Sequence, residues 1–318
     1  HPGGVPLLPE KLIVGTRGSP LALRQTEIVR ERLSSLGIQT ELRRVKTSGD
    51  LFLDKPLHQL GGFGVFVTEI DERMLAGEID LAVHSMKDLP SKRPEELSLS
   101  AVLKRDSPYD ALLCRRDSAG GIEELDWGAT VGTSSMRRAA QLLRARPDLN
   151  ISSLRGNLQT RLKKLEQGEY DAIVLAEAGL ERMGLNPGHV RLDGERFVPS
   201  ANQGTIIVVA RAGSLAEACS RPLDDAHTRT ETMIERKIME VVGGGCVVPM
   251  AAHARVEKEK ARVLAEVLSR DGKRFVRLEE SIPLEEDYLR LAEDIGERLM
   301  RMGGRELVDE AVRLFGNR

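Results

Sequence analysis

The residues that first suggest chemistry are Lys87 and Asp88, which sit side by side near the end of IDLAVHSMKDLP at 79–90. Leu81-Ala82-Val83 before them is a continuous apolar run, the pattern of a strand buried on both faces. His84 and Ser85 then turn the chain polar, and Pro90 blocks a helix from continuing. Ligands of α/β sheets bind beyond the carboxyl ends of strands. An ammonium group there can hold an anion while the adjacent carboxylate faces developing positive charge. A surface turn with two solvated charges fits the same residues equally well.

A second set of charges is of one sign. Arg17 lies in Gly15-Thr16-Arg17-Gly18-Ser19-Pro20, where Ser19 suits a helix cap and Pro20 the first helical position. Open backbone N–H groups at such a turn make an anion pocket, although many turns of this kind bind nothing. Thr133-Ser134-Ser135 caps a helix starting near Met136, with Arg137 and Arg138 in its first turn. Arg155-Gly156-Asn157 follows the strand 151–154, and Arg161 falls near the next helix start. Cations at helix N-termini oppose the helix dipole. They have the wrong sign for capping and the right sign for gripping carboxylates bidentately. A solvated basic face is the competing explanation.

Cys246, after Gly243-Gly244-Gly245, admits three readings. Inert burial is the commonest fate of a free cysteine. A thiolate nucleophile is disfavoured by the negative end of the preceding helix and by the lack of an adjacent His or Lys. A covalent attachment point suits a sulfur left unshielded on a pliable turn. Local residues alone favour burial.

These groups need a scaffold, and 318 residues suffice for two or three domains. Hydrophobic residues make up 41% and charged residues 30%, as in an ordinary globular protein. Aromatics at 3% argue against base-stacking platforms, and a net charge of −2 gives no global pull towards nucleic acid or membranes. No apolar stretch approaches the roughly 20 residues that span a bilayer. The opening HPGGVPLLPE lacks the marks of a secretory signal and is expected to be a disordered leader. Three cysteines far apart suit a reducing cytoplasm and lack metal-site spacing, so no metal is expected. A phosphate-handling enzyme finds little support, since no G-x-x-x-x-G-K-[ST] occurs.

The chain also repeats itself. Gly77-Glu78-Ile79-Asp80 is echoed by Gly168-Glu169-Tyr170-Asp171, each opening a buried strand after a helix. Val14-Gly15-Thr16 is echoed by Val131-Gly132-Thr133, each a strand running into a Gly-Thr turn. Two similarly wound α/β domains are therefore expected. Residues 11–104 would form the first and 105–202 the second, with 203–221 crossing back into the first. The strand Thr205–Ala210 carries that return, giving a hinged clamp whose basic residues face a cleft. Thr47–Gly64 is expected to be a loop, either a lid or a surface excursion, and 222–318 a smaller α+β domain with a hairpin at Asp271-Gly272.

Six motifs, taken together and in order, resemble the porphobilinogen deaminase family. They are GTRGSPLAL at 15–23, AVHSMKDLP at 82–90, VGTSSMRRAAQL at 131–142, RGNLQTRL at 155–162, LAEAGLERMG at 175–184 and GGGCVVP at 243–249. The resemblance implies two domains like type II periplasmic binding proteins and a third, smaller domain. It implies a dipyrromethane cofactor tethered by a thioether at the Cys246 position. It also implies a transferase of tetrapyrrole (haem, chlorophyll or corrin) biosynthesis that joins four porphobilinogen units head to tail. Ammonia would be released at each addition, and linear hydroxymethylbilane would be hydrolysed off.

Carried over by motif, Asp88 is the expected catalytic group. Arg17, Ser19, Ser85, Lys87, Ser134, Ser135, Arg137, Arg138, Arg155 and Arg161 would hold the polyanionic cofactor. Arg17, Phe66, Arg155, Arg182 and Gln203 would hold substrate. A cytoplasmic monomer acting on a small molecule, without nucleic acid or membrane, is expected. A non-catalytic solute-binding protein of the same clamp shape is the main rival, but it gives no reason for Lys87-Asp88 or the Cys246 turn.

Overall fold

The computed structural model describes residues 11–46, 66–115 and 120–315. The leader and the expected lid at 47–64 lie outside the described residues. Strand β1 (Leu12–Thr16) leads into helix α1 (Pro20–Ser35), which Ser19 caps by accepting from the Ala22 amide, as the local sequence requires. Strand β2 (Thr40–Arg44) and helix α2 (Thr68–Leu75) precede strand β3 (Leu81–Ser85) and strand β4 (Leu97–Val102). Leu81 and Val83 of β3 pack into the apolar cluster on one side of the sheet, and Ala82 packs into the cluster on the other. The strand is buried on both faces, as its apolar run predicts.

The second half runs β5 (Asp110–Cys114), β6 (Thr130–Gly132), α3 (Met136–Ala145), β7 (Asn150–Ser152), α4 (Leu158–Glu166), β8 (Ala172–Ala176), α5 (Glu177–Arg182) and β9 (Val190–Arg191). Strand β10 (Ile206–Arg211) then returns to the first sheet, followed by α6 (Leu215–Ser220). The two five-stranded sheets have orders β2-β1-β3-β10-β4 and β7-β6-β8-β5-β9. In each, three parallel strands are followed by one antiparallel strand and an edge strand. The antiparallel strand of the first sheet, β10, comes from beyond the second half, so the chain crosses the hinge twice.

The crossings touch, with Asp106 N donating to Gly204 O at 2.9 Å. Gly204 has φ +80°, and a Cβ there would stand 2.3 Å from Ser107 O, so only glycine permits this approach. The C-terminal unit packs helix α7 (Ala226–Val242) and helix α8 (Tyr288–Leu299) on a three-stranded antiparallel sheet. Its strands are β11 (Met250–Glu257), β12 (Lys260–Leu268) and β13 (Phe275–Pro283), and helix α9 (Arg305–Phe315) closes the described chain. The hairpin at Asp271-Gly272 is the β12–β13 turn.

This unit is docked by buried ion pairs. Glu266 of β12 takes two bonds from Arg144 (2.8 and 3.0 Å) and one from Gln141 (3.0 Å), both on α3. Glu235 of α7 takes two from Arg105 (2.7 and 2.9 Å) in the first crossing. No described helix is long and apolar enough to cross a membrane.

Candidate active site

Beyond β3 the chain makes one 3-10 turn, Met86–Asp88, fixed by two buried anchors, Met86 and Leu89. The Met86 amide donates to Thr205 O at 2.8 Å, tying the turn to the second crossing. Lys87 and Asp88, both half-buried, line a cavity of about 970 Å³. Among the described residues neither side chain makes a hydrogen bond or ion pair. Burial, and then the nearby Arg138, lower the Lys87 ammonium to about 8. His84 behind the turn is pushed down to about 3 by burial, with Arg93 and Arg17 adding to the effect. It is therefore neutral at pH 7.

The start of α3 forms another part of the cavity wall, where Ser135 caps the helix through the Arg138 amide. Ser134 accepts from the Leu154 amide (3.0 Å) and donates to the Leu154 carbonyl (2.8 Å). Arg137 and Arg138 line the cavity, but they also converge on Asp110, which is 1% exposed. Arg137 bonds it at 2.7 and 3.1 Å, and Arg138 at 3.0 Å through Nε. Gln203 completes the group, donating to Asp110 (3.0 Å) and accepting from Arg138 (3.2 Å).

Burial works to raise the Asp110 carboxyl, but the two guanidinium groups outweigh it and hold it well below the usual range. Sequence reading missed Asp110. Its signal was an acidic residue opening the apolar strand DALLC, where a charge must be paired if buried. Both guanidinium groups are thus engaged within the protein, Arg138 through all three nitrogens, its Nη1 reaching Val174 O at 3.5 Å, and the Arg138 charge also bears on Lys87.

The remaining expected residues do not line this cavity. Arg161 donates to Gly156 O (2.8 Å), and burial followed by Arg138 and Arg155 lowers it to about 10. Ser85 exchanges bonds with Gln25 on α1. Arg182 pairs with Asp106 (2.9 Å) and lines a smaller adjoining cavity with Ser85 and Lys87. The Arg17 guanidinium lies 3.7 Å over the Phe66 ring. Ser19 is engaged as the α1 cap and is not on the large cavity's wall.

Cys246 reaches the same cavity from the C-terminal unit. Helix α7 stops at Val242, and Gly243, Gly244 and Gly245 follow with φ of +68°, +81° and +69°. Three successive left-handed residues require glycine. A Cβ on Gly244 would also fall 2.3 Å from Val248 Cγ2. The turn delivers Cys246, half-buried, into the 3-10 turn Gly245–Val247. Burial pushes the thiol's pKa up, so it is not an activated thiolate. Inert burial, favoured by the local sequence, is not what the structure shows either, because the half-buried residue borders the same cavity as Lys87 and Asp88.

Family models match residues 12–217 as the "Porphobilinogen deaminase, dipyromethane cofactor binding domain" and residues 229–302 as the "Porphobilinogen deaminase, C-terminal domain". The chain belongs to the porphobilinogen deaminase family. A probable porphobilinogen deaminase of Methanococcoides burtonii is 52% identical over 95% of this chain and 97% of its own. That of Methanosarcina acetivorans is 50% identical over 95% of both chains. The porphobilinogen deaminase of Pelobacter propionicus is 41% identical over 95% of this chain and 97% of its own. Among solved structures, the methionine-binding protein MetQ aligns over 67% of this chain at 14% identity, with a TM-score of 0.43.

The protein is thus a transferase of tetrapyrrole biosynthesis, and its matched domain is the one that binds dipyrromethane. The residues present fit that group. A thiol on the wall of a large cavity offers the tether. Arg138 and Arg155 stand close enough to Arg161 to add to the effect of burial in lowering its pKa, a crowding of like charge that suits a ligand bearing several carboxylates.

Proposed function

We propose that the chain joins four porphobilinogen units head to tail on a dipyrromethane bonded to Cys246, with Asp88 as the catalytic carboxylate. Ammonia leaves at each addition, and linear hydroxymethylbilane is finally hydrolysed off. The observation that carries this reading is the single cavity bordered by Cys246, by Lys87 and Asp88, and by the start of α3. When bound, the dipyrromethane supplies the free pyrrole carbon to which substrate is added.

The chain's own residues do the rest. Lys87, Arg138, Arg155 and Arg161 bind carboxylates of substrate and product, and Arg17, Phe66 and Arg182 complete the substrate side. Asp88 accepts from pyrrole N–H groups and lies against the positive charge that forms on substrate as ammonia departs. Its carboxylate oxygens also take up the proton released on condensation. Arg137 acts chiefly by holding Asp110 and Gln203 in place behind Arg138.

We read the active form as a cytoplasmic monomer divided at 11–104 with 203–221, 105–202 and 222–318. The three cysteines, all unpaired, suit a reducing compartment. Intact-mass measurement tests the central claim. Native protein should outweigh its translation product by one dipyrromethane, and Cys246→Ser should not. Native protein of bare mass that stays inert after incubation with porphobilinogen would refute it.

A further inference from the structure

Arg236, on α7, is a buried guanidinium whose charge no described carboxylate answers at ion-pair distance. It is 8% exposed. Its Nη2 donates to Pro90 O at 2.8 Å, and its Nη1 to Leu89 O at 3.3 Å and to Asn202 Oδ1 at 3.5 Å. Burial, and then Arg93, lower its pKa to about 10, with Glu240 acting the other way, so it is charged at neutral pH. A buried cation held only by neutral oxygens costs stability that an apolar side chain would avoid.

The oxygens it reaches have one thing in common. Leu89 and Pro90 directly follow Asp88, and Asn202 directly precedes Gln203 in the second crossing. Asn202 is left-handed at φ +67°, a strained state for a residue with a side chain, and it persists because α7 grips it from several sides. Its Nδ2 donates to Thr232 O (2.9 Å), its amide donates to Glu235 (2.7 Å), and Glu235 also holds Arg105 of the first crossing. From Arg236 the helix runs six residues, about 9 Å at 1.5 Å each, to the glycine turn that presents Cys246.

We propose that Arg236 is a positioning residue. It bonds the backbone just beyond Asp88 to the helix that carries Cys246, and so sets the separation between the Asp88 carboxylate and the group tethered at Cys246. This rests on the site reading above. A displacement of 1 Å between reacting groups can cost about a hundredfold in rate. Simple glue between domains would instead lower the melting temperature and the loaded fraction, leaving turnover per loaded molecule unchanged.

Arg236→Met and Arg236→Lys, prepared beside wild type, separate the two roles. Each is weighed intact to count loaded molecules and then assayed with porphobilinogen. The Met variant should lose about tenfold or more in kcat per loaded molecule, with KM within about twofold, and Lys should recover part of the loss. Amide exchange over 86–91 should also speed up in Arg236→Met while β3 stays protected. Unchanged kcat per loaded molecule, or unchanged exchange over 86–91, overturns the proposal. Should the Met variant not fold, Arg236→Lys decides, and a wild-type kcat there overturns it. An unloaded, inactive wild type would instead remove the site reading, and this proposal with it.

Discussion

The two α/β halves match down to single side chains and then part where chemistry begins. In the first, the Ile13 amide donates to Asp80 Oδ2 at 2.8 Å; in the second, the Thr130 amide donates to Asp171 Oδ2 at 2.8 Å. Each aspartate returns its own amide to the same residue's carbonyl at 2.9 Å. Beyond the strands that follow, the halves differ. After β3, the 3-10 turn ends before Pro90, and Asp88 is left at the cavity with no described partner for its side chain. After β8, the chain continues as α5, whose first residue, Glu177, is 3% exposed and enclosed by Arg191 and His189. Burial works to raise that carboxyl, but bonds from Arg191, Ser107 and His189 bring it down to about 2. One frame thus carries one carboxylate enclosed by partners and another left open at the cavity. What separates them is the supply of partners, not the strand that delivers them.

Asp88→Asn gives the largest test of that contrast. Turnover should fall about a hundredfold or more, with melting temperature and cofactor mass unchanged; a wild-type rate would end the catalytic role. Glu177→Gln should show the opposite pattern. Loss of its charged bonds should cost about 2 kcal/mol of stability, read as a lower denaturation midpoint, with kcat per folded molecule within about twofold. A large kcat loss without destabilisation would erase the distinction between the halves.

The smallest effect concerns pH. Lys87, lowered to about 8, is cationic at pH 7 and sheds its charge as pH rises through that value. KM for porphobilinogen should therefore rise several-fold (about half a log unit or more) from pH 7 to 9 and stay flat in Lys87→Met. Stability of the ligand-free protein runs the other way. Unfolded lysine titrates at 10.5, so between about 8 and 10.5 the unfolded chain binds the extra proton and stability rises with pH. A KM profile in Lys87→Met that follows wild type would assign the titration elsewhere.

Much of this was legible in the chain. The caps Ser19 and Ser135, the apolar run of β3 and the glycine stop after Val242 are local signals, decided within a few residues by sterics and hydrogen bonding. The in-order repeat announced two similar sheets, and β10 does return to the first. The reading of Arg137 as a free anion grip was less complete. Its partner Asp110 lies on another strand, and local sequence carries no record of that pairing.

The sequence by itself determined where strands, turns and helix starts fall, and which residues stand at their ends, because those choices depend on neighbours along the chain. It also carried the family motifs. Only the tertiary structure decided that Cys246 and Asp88 border one cavity, that Asp110 pairs with Arg137 and Arg138, and that Arg236 holds the backbone beyond Asp88. Each of those contacts joins residues far apart in sequence, and its existence depends on how the two sheets and the C-terminal unit dock.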